Sequence, residues 1–337
     1  MRFGPVPLAD AMGTILAHSV SLPEGRLRKG SRLGAAEVAL LHAAGFAEVT
    51  VARLGPGDMH EDAAALAVAQ TLLPNPVAAG LALRPVGTGR VNIHADVTGV
   101  LEVLAERIDA LNAVDPMITL ATVPRWQRLS KGDMAATVKI IAYGVDQAAV
   151  AAACNAGVTA LRMRPVAMAR AMLIQTITDA DDGEKGHRAI RKRLTALDVC
   201  MEPKVLVRHR EEDLAAALSA VSGVDLILIL TASATSDWQD VAPQALRRAG
   251  GTVDHFGMPV DPGNLLFIGR LGAVPVIGLP GCAKSSALNG ADWVMERVIC
   301  GVPVTPADIA AMGVGGLLKE SPVRGRPREA LPASGYT

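Results

Sequence analysis

The sequence predicts an α/β protein. A three-layer, mostly parallel sheet is expected in the carboxy-terminal half, preceded by a mixed α+β and β-rich accessory region. From Ala169 onward, apolar runs of strand length alternate with segments of helical spacing, the order that builds a parallel sheet flanked by helices. Within that half, Val224–Leu230 (VDLILIL) is almost continuously apolar, as a parallel strand covered on both faces would be. Before residue 168 the alternation is absent, and short extended runs mix with Ala-rich helix. The expected organisation is an accessory α+β region over 1–80, a β-rich region over 81–167, the α/β domain over 168–303, and a tail over 304–337.

The elements follow in order. Leu33–Ala44 has helical periodicity, Gly45 suits its stop, and Glu48–Val51 then reads as a strand. Pro74-Asn75-Pro76 has the composition of a linker. Val97–Leu104 and Ala135–Ile141 are the clearest extended runs of the middle region, with a short helix over Ala105–Ala113. Lys139 sits inside the second of these runs, either on the solvent face of a half-buried strand or as an anion contact projecting into a cleft. In the carboxy-terminal half, strands are expected over Met172–Ile177, Lys204–Arg208, Val224–Leu230 and Val274–Leu279. Helices are expected over Gly186–Leu197, Glu211–Val221, Asp237–Ala249 and Ser285–Ile299. The last twenty residues, rich in Gly, Pro and charge, read as a mobile tail.

Composition excludes several functions. The 337 residues allow two or three domains, and half of them are hydrophobic, so burying cores is no difficulty. Lys plus Arg and Asp plus Glu are equal at 33 each, which gives no overall electrostatic footprint for nucleic acid or a membrane surface. Aromatic residues are only 3%, too few for a base-stacking platform. The amino terminus lacks the pattern of a signal peptide, and no apolar stretch is long enough to span a membrane. Cys154, Cys200, Cys282 and Cys300 have no metal-ligand spacing, so a cytoplasmic protein with reduced thiols is expected. Cys154 and Cys300 sit in apolar contexts, whereas Cys282 lies in a Pro-Gly loop.

In open parallel sheets, ligands sit beyond the carboxyl ends of the strands, and that rule selects three loops. The first follows Ile177 and holds Thr178, Asp179, Asp181 and Asp182. The second runs from Thr231 through Ser233, Thr235, Ser236 and Asp237 to Asp240; hydroxyls and free N–H groups before a helix suit a phosphate or another anion, although they also serve as ordinary caps. Asp237 and Asp240 place carboxylates beside that anion site, an arrangement that becomes favourable when magnesium bridges carboxylate and phosphate. Of the two, Asp237 is the better candidate for a helix cap. The third loop joins Pro280, Gly281 and Cys282 to Lys284, Ser285 and Ser286, where Gly permits close approach and Lys284 adds positive charge. Between the second and third lies a tight turn containing Asp261, Pro262, Gly263 and Asn264. On physics alone these loops point to a phosphate-bearing small molecule.

The same residues resemble the molybdopterin-binding domain of molybdopterin molybdenumtransferase and gephyrin. That family carries a Gly-Gly-x-Ser-x-Gly-x-x-Asp loop, a Pro-Gly-Lys-Pro turn and a Leu-Pro-Gly-Asn-Pro loop. This chain has Ala232–Asp240, Asp261–Leu265 and Leu279–Ala283 in the same order. It departs from the pattern at Ala232 and Ser233 for the glycine pair, at Asp237 for the later glycine, at Asn264 for the lysine, and at Cys282-Ala283 for Asn-Pro. Thr235 falls at the family's serine and Asp240 at its aspartate. Leu8–Ala17 and Leu27–Gly30 resemble pieces of the accessory domains of that superfamily. The whole chain is similar to the molybdopterin-binding half of bacterial two-part proteins whose other half is a nucleotidyltransferase that matures the cofactor.

The resemblance implies a molybdopterin-binding protein of molybdenum cofactor biosynthesis, with assistance to molybdate insertion as a transferase-like activity. It implies Mg2+ as cofactor, Asp240 as the catalytic residue, and Asp237 with Asp240 as metal ligands. Thr231, Ser233, Thr235, Ser236, Pro262, Gly263, Asn264, Pro280, Gly281, Cys282, Lys284 and Ser285 would bind molybdopterin or its nucleotide derivative. A homodimer is implied, with a nucleotidyltransferase or a molybdoenzyme as partner. The alternative is a non-catalytic carrier that delivers the cofactor, which the lost glycines and lysine favour. A third reading is an enzyme acting on another nucleotide.

Overall fold

The computed structural model describes residues 1–23, 25–178 and 182–318. The chain forms two compact units, Met1–Met163 and Arg164–Thr337.

In the first unit, Arg2–Pro7 pairs antiparallel with Glu48–Arg53, which also pairs with Ile15–Leu16. Helix Ala35–Ala43 packs Leu41 with Leu8, Leu16, Leu33, Val49 and Val51 in one apolar cluster. Gly45 follows the helix in the left-handed region, φ +83°, as its place after a helix end requires. A second cluster takes in residues from Ala64 to Met163, so the largely exposed Pro74-Asn75-Pro76 joins two parts of one core rather than two cores. Its frame is an antiparallel sheet in the order Ile118–Thr122, Met134–Ile140, Arg90–Ala95, Leu81–Gly87. Helices Glu61–Leu72, Ala105–Asn112 and Gln147–Gly157 contribute Ala64, Val68, Leu111 and Val150 to that core.

The second unit is a seven-stranded sheet with helices. Its strands are β1 (Arg170–Ile177), β2 (Cys200–Met201), β3 (Val205–Arg208), β4 (Leu226–Leu230), β5 (Thr252–Phe256), β6 (Phe267–Leu271) and β7 (Val274–Leu279). Its helices are α1 (Glu184–Thr195), α2 (Glu211–Ser219), α3 (Val241–Arg248), α4 (Gly290–Ile299) and α5 (Pro306–Ala310). Strands β2 and β3 both pair parallel with β1, β1 with β4, and β4 with β7; β6 and β5 continue antiparallel. The sheet is therefore mixed, parallel over most of its width with an antiparallel pair at one side.

Strand alternation divides the side chains between two cores. Leu226, Leu228 and Leu230 join Ile190 and Leu194 of α1 and Val294 and Ile299 of α4. Ile227 and Ile229 join Leu214 and Leu218 of α2 and Ala242 and Leu246 of α3. A strand buried on both faces has no polar side to show, which is why β4 is apolar throughout.

Several boundaries differ from the sequence expectation. Helix α3 begins at Val241, not Asp237, because Asp240 rather than Asp237 is its N-cap. Helix α4 begins at Gly290, not Ser285. Gly281–Lys284 forms a short 3-10 turn instead, and an Asn289–Asp292 capping box starts the helix. Where the sequence suggests a tail from 304, the chain still packs: Ile309 and Met312 belong to the sheet core, and Asp261 N–H donates to the Gly316 carbonyl at 2.8 Å. Residues 319–337, with most of the expected mobile tail, lie outside the described residues.

The margins of this sheet are short. Cys200–Met201 lies against Arg170–Ala171 and Val205–Arg208 against Ile174–Ile177, so one margin is a single strand interrupted around Pro203. At the other margin, the pairing of β5 with β6 shifts register between Val253 and His255.

Candidate functional site

The registers place the carboxyl ends of the strands at one rim. Ile177 pairs with Arg208, Gln175 with Leu230, and Leu230 with Leu279. Because β5 and β6 form a hairpin whose Phe256↔Phe267 pair abuts Gly278, the connection 257–266 emerges at the same rim. The loops after β1, β4 and β7 and the turn at 261–264 therefore share one end of the sheet. Asp179 and Asp181 of the first loop lie outside the described residues.

The second loop is braced by its own carboxylates. Asp240 Oδ1 accepts from Val241 N–H at 2.7 Å and Oδ2 from Ser236 N–H at 2.9 Å. Asp237 Oδ1 accepts from Gln239 N–H at 2.8 Å, a local Asx turn. Thr231 and Thr235 are buried, with hydroxyl oxygens 3.3 Å apart, whereas Ser233, Ser236 and Asp237 are exposed. Trp238 packs on Phe256 and lies beneath the Arg247 guanidinium, which also donates to the Trp238 carbonyl at 2.6 Å. The loop is thus pinned at both ends.

The turn at 261–264 serves the start of α4. Pro262 and Gly263 are buried, and the Pro262 carbonyl accepts Gly290 N–H at 2.8 Å. A Cβ on Gly263 would lie 2.8 Å from Gly290 N, and φ there is +147°, so the close approach demands glycine. Asn264 is exposed and donates through Nδ2 to the Met258 carbonyl at 3.3 Å.

In the third loop Pro280 is buried, Gly281 and Ser285 are exposed, and Cys282 and Lys284 are half-buried. Ser285 Oγ accepts from Ala287 N–H at 3.2 Å. The loop is held from α1: Arg193 pairs through Nε with Asp292 and donates to the carbonyls of Ala283 at 3.1 Å and Ala287 at 3.0 Å. Both charged groups are nearly buried, so removing one partner would cost about 3–5 kcal/mol.

Other rim residues escape sequence reading. Thr176 Oγ1 accepts Ala232 N–H at 2.9 Å and lies 2.8 Å from His209 Nδ1, joining the ends of β1, β3 and β4. Gln175 is buried and donates to the Gly183 carbonyl at 3.0 Å. Gln175, Thr176, Gly183, Lys185, Gly186 and Lys284 are among the residues around a cavity of about 80 Å3 at the rim. A Cβ on Gly186 would fall 2.3 Å from Gln175 Oε1, so the first turn of α1 sits directly on this strand end. The signal for Gln175-Thr176 was available, since polar residues interrupt an otherwise apolar buried strand. Arg193 left none, because its partners are distant in sequence.

Charge at the start of α1 is ordered. Lys204 Nζ donates to Glu184 at 2.9 Å and holds that carboxyl below its usual range. His187 is buried with no partner for Nδ1, and burial together with Arg191 lowers its pKa. In the first unit, Lys139 donates to the Thr88 carbonyl and lies 3.7 Å from Glu61. Burial raises the Glu61 pKa.

Both Asp240 oxygens hold backbone N–H groups, and no group of three or more His, Cys, Asp or Glu among the described residues could hold a metal ion. The residues present do not make a protein cage for magnesium. Among the described residues, no helix is long and apolar enough to cross a membrane.

A profile for a domain of unknown function (DUF8806) matches residues 5–53. No curated protein matches the chain. A solved structure of the molybdopterin biosynthesis MoeA protein from Pyrococcus horikoshii is 13% identical over 91% of this chain and 75% of its own, with a TM-score of 0.29. A second MoeA structure from the same organism is 10% identical over 90% of this chain and 76% of its own, with a TM-score of 0.26. Overlap of this quality assigns no role to any residue.

Proposed function

We propose that the rim of the second unit binds molybdopterin, and that the protein acts in molybdenum cofactor biosynthesis. One observation carries this reading: the segments that match the family's motifs, Ala232–Asp240, Asp261–Leu265 and Leu279–Ala283, are separated in sequence yet meet at one end of the sheet. A phosphate-bearing ligand there would meet the hydroxyls of Ser233 and Ser236, backbone N–H groups of the third loop, and Lys284. Strand-end loops of parallel sheets are the general place for such ligands. Thr231, Thr235, Pro262 and Gly263 act by fixing the loops, since each is buried.

A carrier role is the second reading, and the Asp240 geometry favours it. A carboxylate that caps a helix with both oxygens holds structure in place, and no step of molybdate insertion is routed through magnesium here. On this reading the protein, as a homodimer, passes the pterin to a nucleotidyltransferase or a molybdoenzyme.

The test is mass spectrometry of small molecules released from protein purified from a molybdopterin-producing host. A pterin phosphate released in near-stoichiometric amount is expected. Release of an unrelated nucleotide, or of nothing while a known binder run in parallel yields pterin, would overturn the reading. Molybdate-dependent turnover by the purified protein would then decide against the carrier.

A further inference from the structure

We infer a second ligand site in the first unit: a cationic cleft that binds a small molecule carrying two or more adjacent phosphate groups. Ser19, Arg26, Arg28, Lys29 and Thr88 line a cleft of about 660 Å3. Its walls are the hairpin Val20–Leu22/Gly25–Leu27 with the residues that follow it, and the turn Gly87-Thr88-Gly89.

Among the described residues, no acid is paired with the cations of this cleft. Arg26, Arg28 and Lys29 are exposed, and none has a side-chain hydrogen bond or ion pair among the described residues. Some other cations of this chain are paired, as Arg170 is with Glu202 and Arg248 with Glu211 and Glu212. With equal numbers of acidic and basic residues overall, three cations around one cleft with no partner among the described residues are a local concentration of charge. Like charges held together repel, and a polyanion removes that repulsion.

The hydroxyls suit the same ligand. Ser19 Oγ accepts Lys29 N–H at 2.9 Å, which leaves its own O–H free to donate. Thr88 is held at φ +52° between Gly87 and Gly89, both also at positive φ. That turn is fixed from behind: Lys139 donates to the Thr88 carbonyl, and Asp62 Oδ1 accepts Gly89 N–H at 2.7 Å. The acids nearest the turn, Glu61 and Asp62, are thus engaged with Lys139 and Gly89, and neither lines the cleft. Tyr143 O–H donates to the Ala17 carbonyl at 2.8 Å, tying the approach to the hairpin onto the frame of the unit.

The lining also says what is not recognised. Among the described residues it contains no aromatic or apolar side chain, so a base has no aromatic platform there, only the Arg26 and Arg28 guanidiniums. Arginine forks and a lysine point charge match successive phosphates instead. Recognition is therefore of the phosphate chain, whatever the group attached to it.

Isothermal titration of the full chain with inorganic phosphate, tripolyphosphate, ATP and CTP at low ionic strength tests this. Tripolyphosphate should bind at least about tenfold tighter than phosphate, with ATP and CTP close to it, and all should weaken with salt. The triple substitution Arg26→Gln/Arg28→Gln/Lys29→Gln should abolish the difference between tripolyphosphate and phosphate while leaving circular dichroism and the melting profile unchanged. Arg248→Gln, a cation of the other unit outside the rim, should leave it intact. The inference is overturned if the triple variant binds tripolyphosphate as the wild type does, if Arg248→Gln removes the binding, or if phosphate binds equally well. Far tighter binding of one nucleotide, or of a short RNA, would overturn it as well. Only the triple substitution reads the cleft, and only the pterin released from purified protein reads the rim, so failure of one is distinguishable from failure of the other.

Discussion

Asp240 shows how a residue that fits a catalytic motif can be occupied with structure. Its two oxygens hold Val241 and Ser236 N–H groups at the start of α3. Asp240→Ala should therefore lower stability by about 1 kcal/mol, the usual cost of losing an N-cap, and Asp240→Asn should cost less, because its amide keeps one of the two N–H acceptors and turns a donor toward the other. Urea unfolding measures both, and ligand titrations with and without magnesium should show the same magnesium dependence in the Asn variant as in the wild type. His187 sets a pH response in the same unit. Burial first, and the Arg191 charge second, lower its pKa below the ordinary 6.5, so the fold favours the neutral ring. That stability is complete above the unfolded pKa and is lost as pH falls from there toward the folded value. Melting temperature should drop as pH falls below about 6.5, and His187→Gln should flatten that part of the profile. Glu61 acts in the opposite sense, since its raised pKa makes the charged form the less favoured one as pH rises above 4.5.

At the scale of elements, close approach between neighbouring strands is fixed by glycine. A Cβ on Gly278 of β7 would fall 1.9 Å from Cε1 of the Phe267 ring on β6. Gly278→Ala should overpack the sheet and cost about 1–3 kcal/mol, and a smaller residue in place of Phe267 should recover part of that loss; thermal unfolding of the single and double variants checks it. The strand Val274–Leu279 was legible in the sequence to the residue and the expected strands beginning at Met172, Lys204 and Val224 to within two residues, because buried strands leave an apolar composition that loops seldom share, whereas the antiparallel strands Thr252–Phe256 and Phe267–Leu271 were not read. Helix starts were not. Ser233, Thr235, Ser236, Asp237 and Asp240 are all competent caps, and the choice of Asp240 is made by the loop that Trp238 and Arg247 pin. Ser285 likewise resembled a helix start, but the carbonyls around it are claimed by Arg193, and the helix waits for the Asn289–Asp292 box. Strand order cannot be read from one sequence, so the contact of Thr176 with His209 and the Ala232 N–H was out of reach. The three rim loops were legible because strand ends and turn residues are local signals.

At the scale of the whole molecule, each unit has cores of its own. A fragment covering 166–318 should therefore fold alone, with a cooperative melting transition that matches one of two seen for the full chain in calorimetry. A fragment lacking that transition would show that the second unit needs the first. The sheet of this unit has a further property that follows from its margins. One side strand is interrupted around Pro203, a residue with no N–H to offer, and the other carries a register shift at Val253/His255. Neither side presents a long straight ladder onto which a foreign strand could add. An apolar parallel sheet is a hazard during synthesis, when many unfinished copies are crowded together. This one is blunted on both flanks, so it should stay dispersed at concentrations where a sheet with continuous side strands would begin to polymerise.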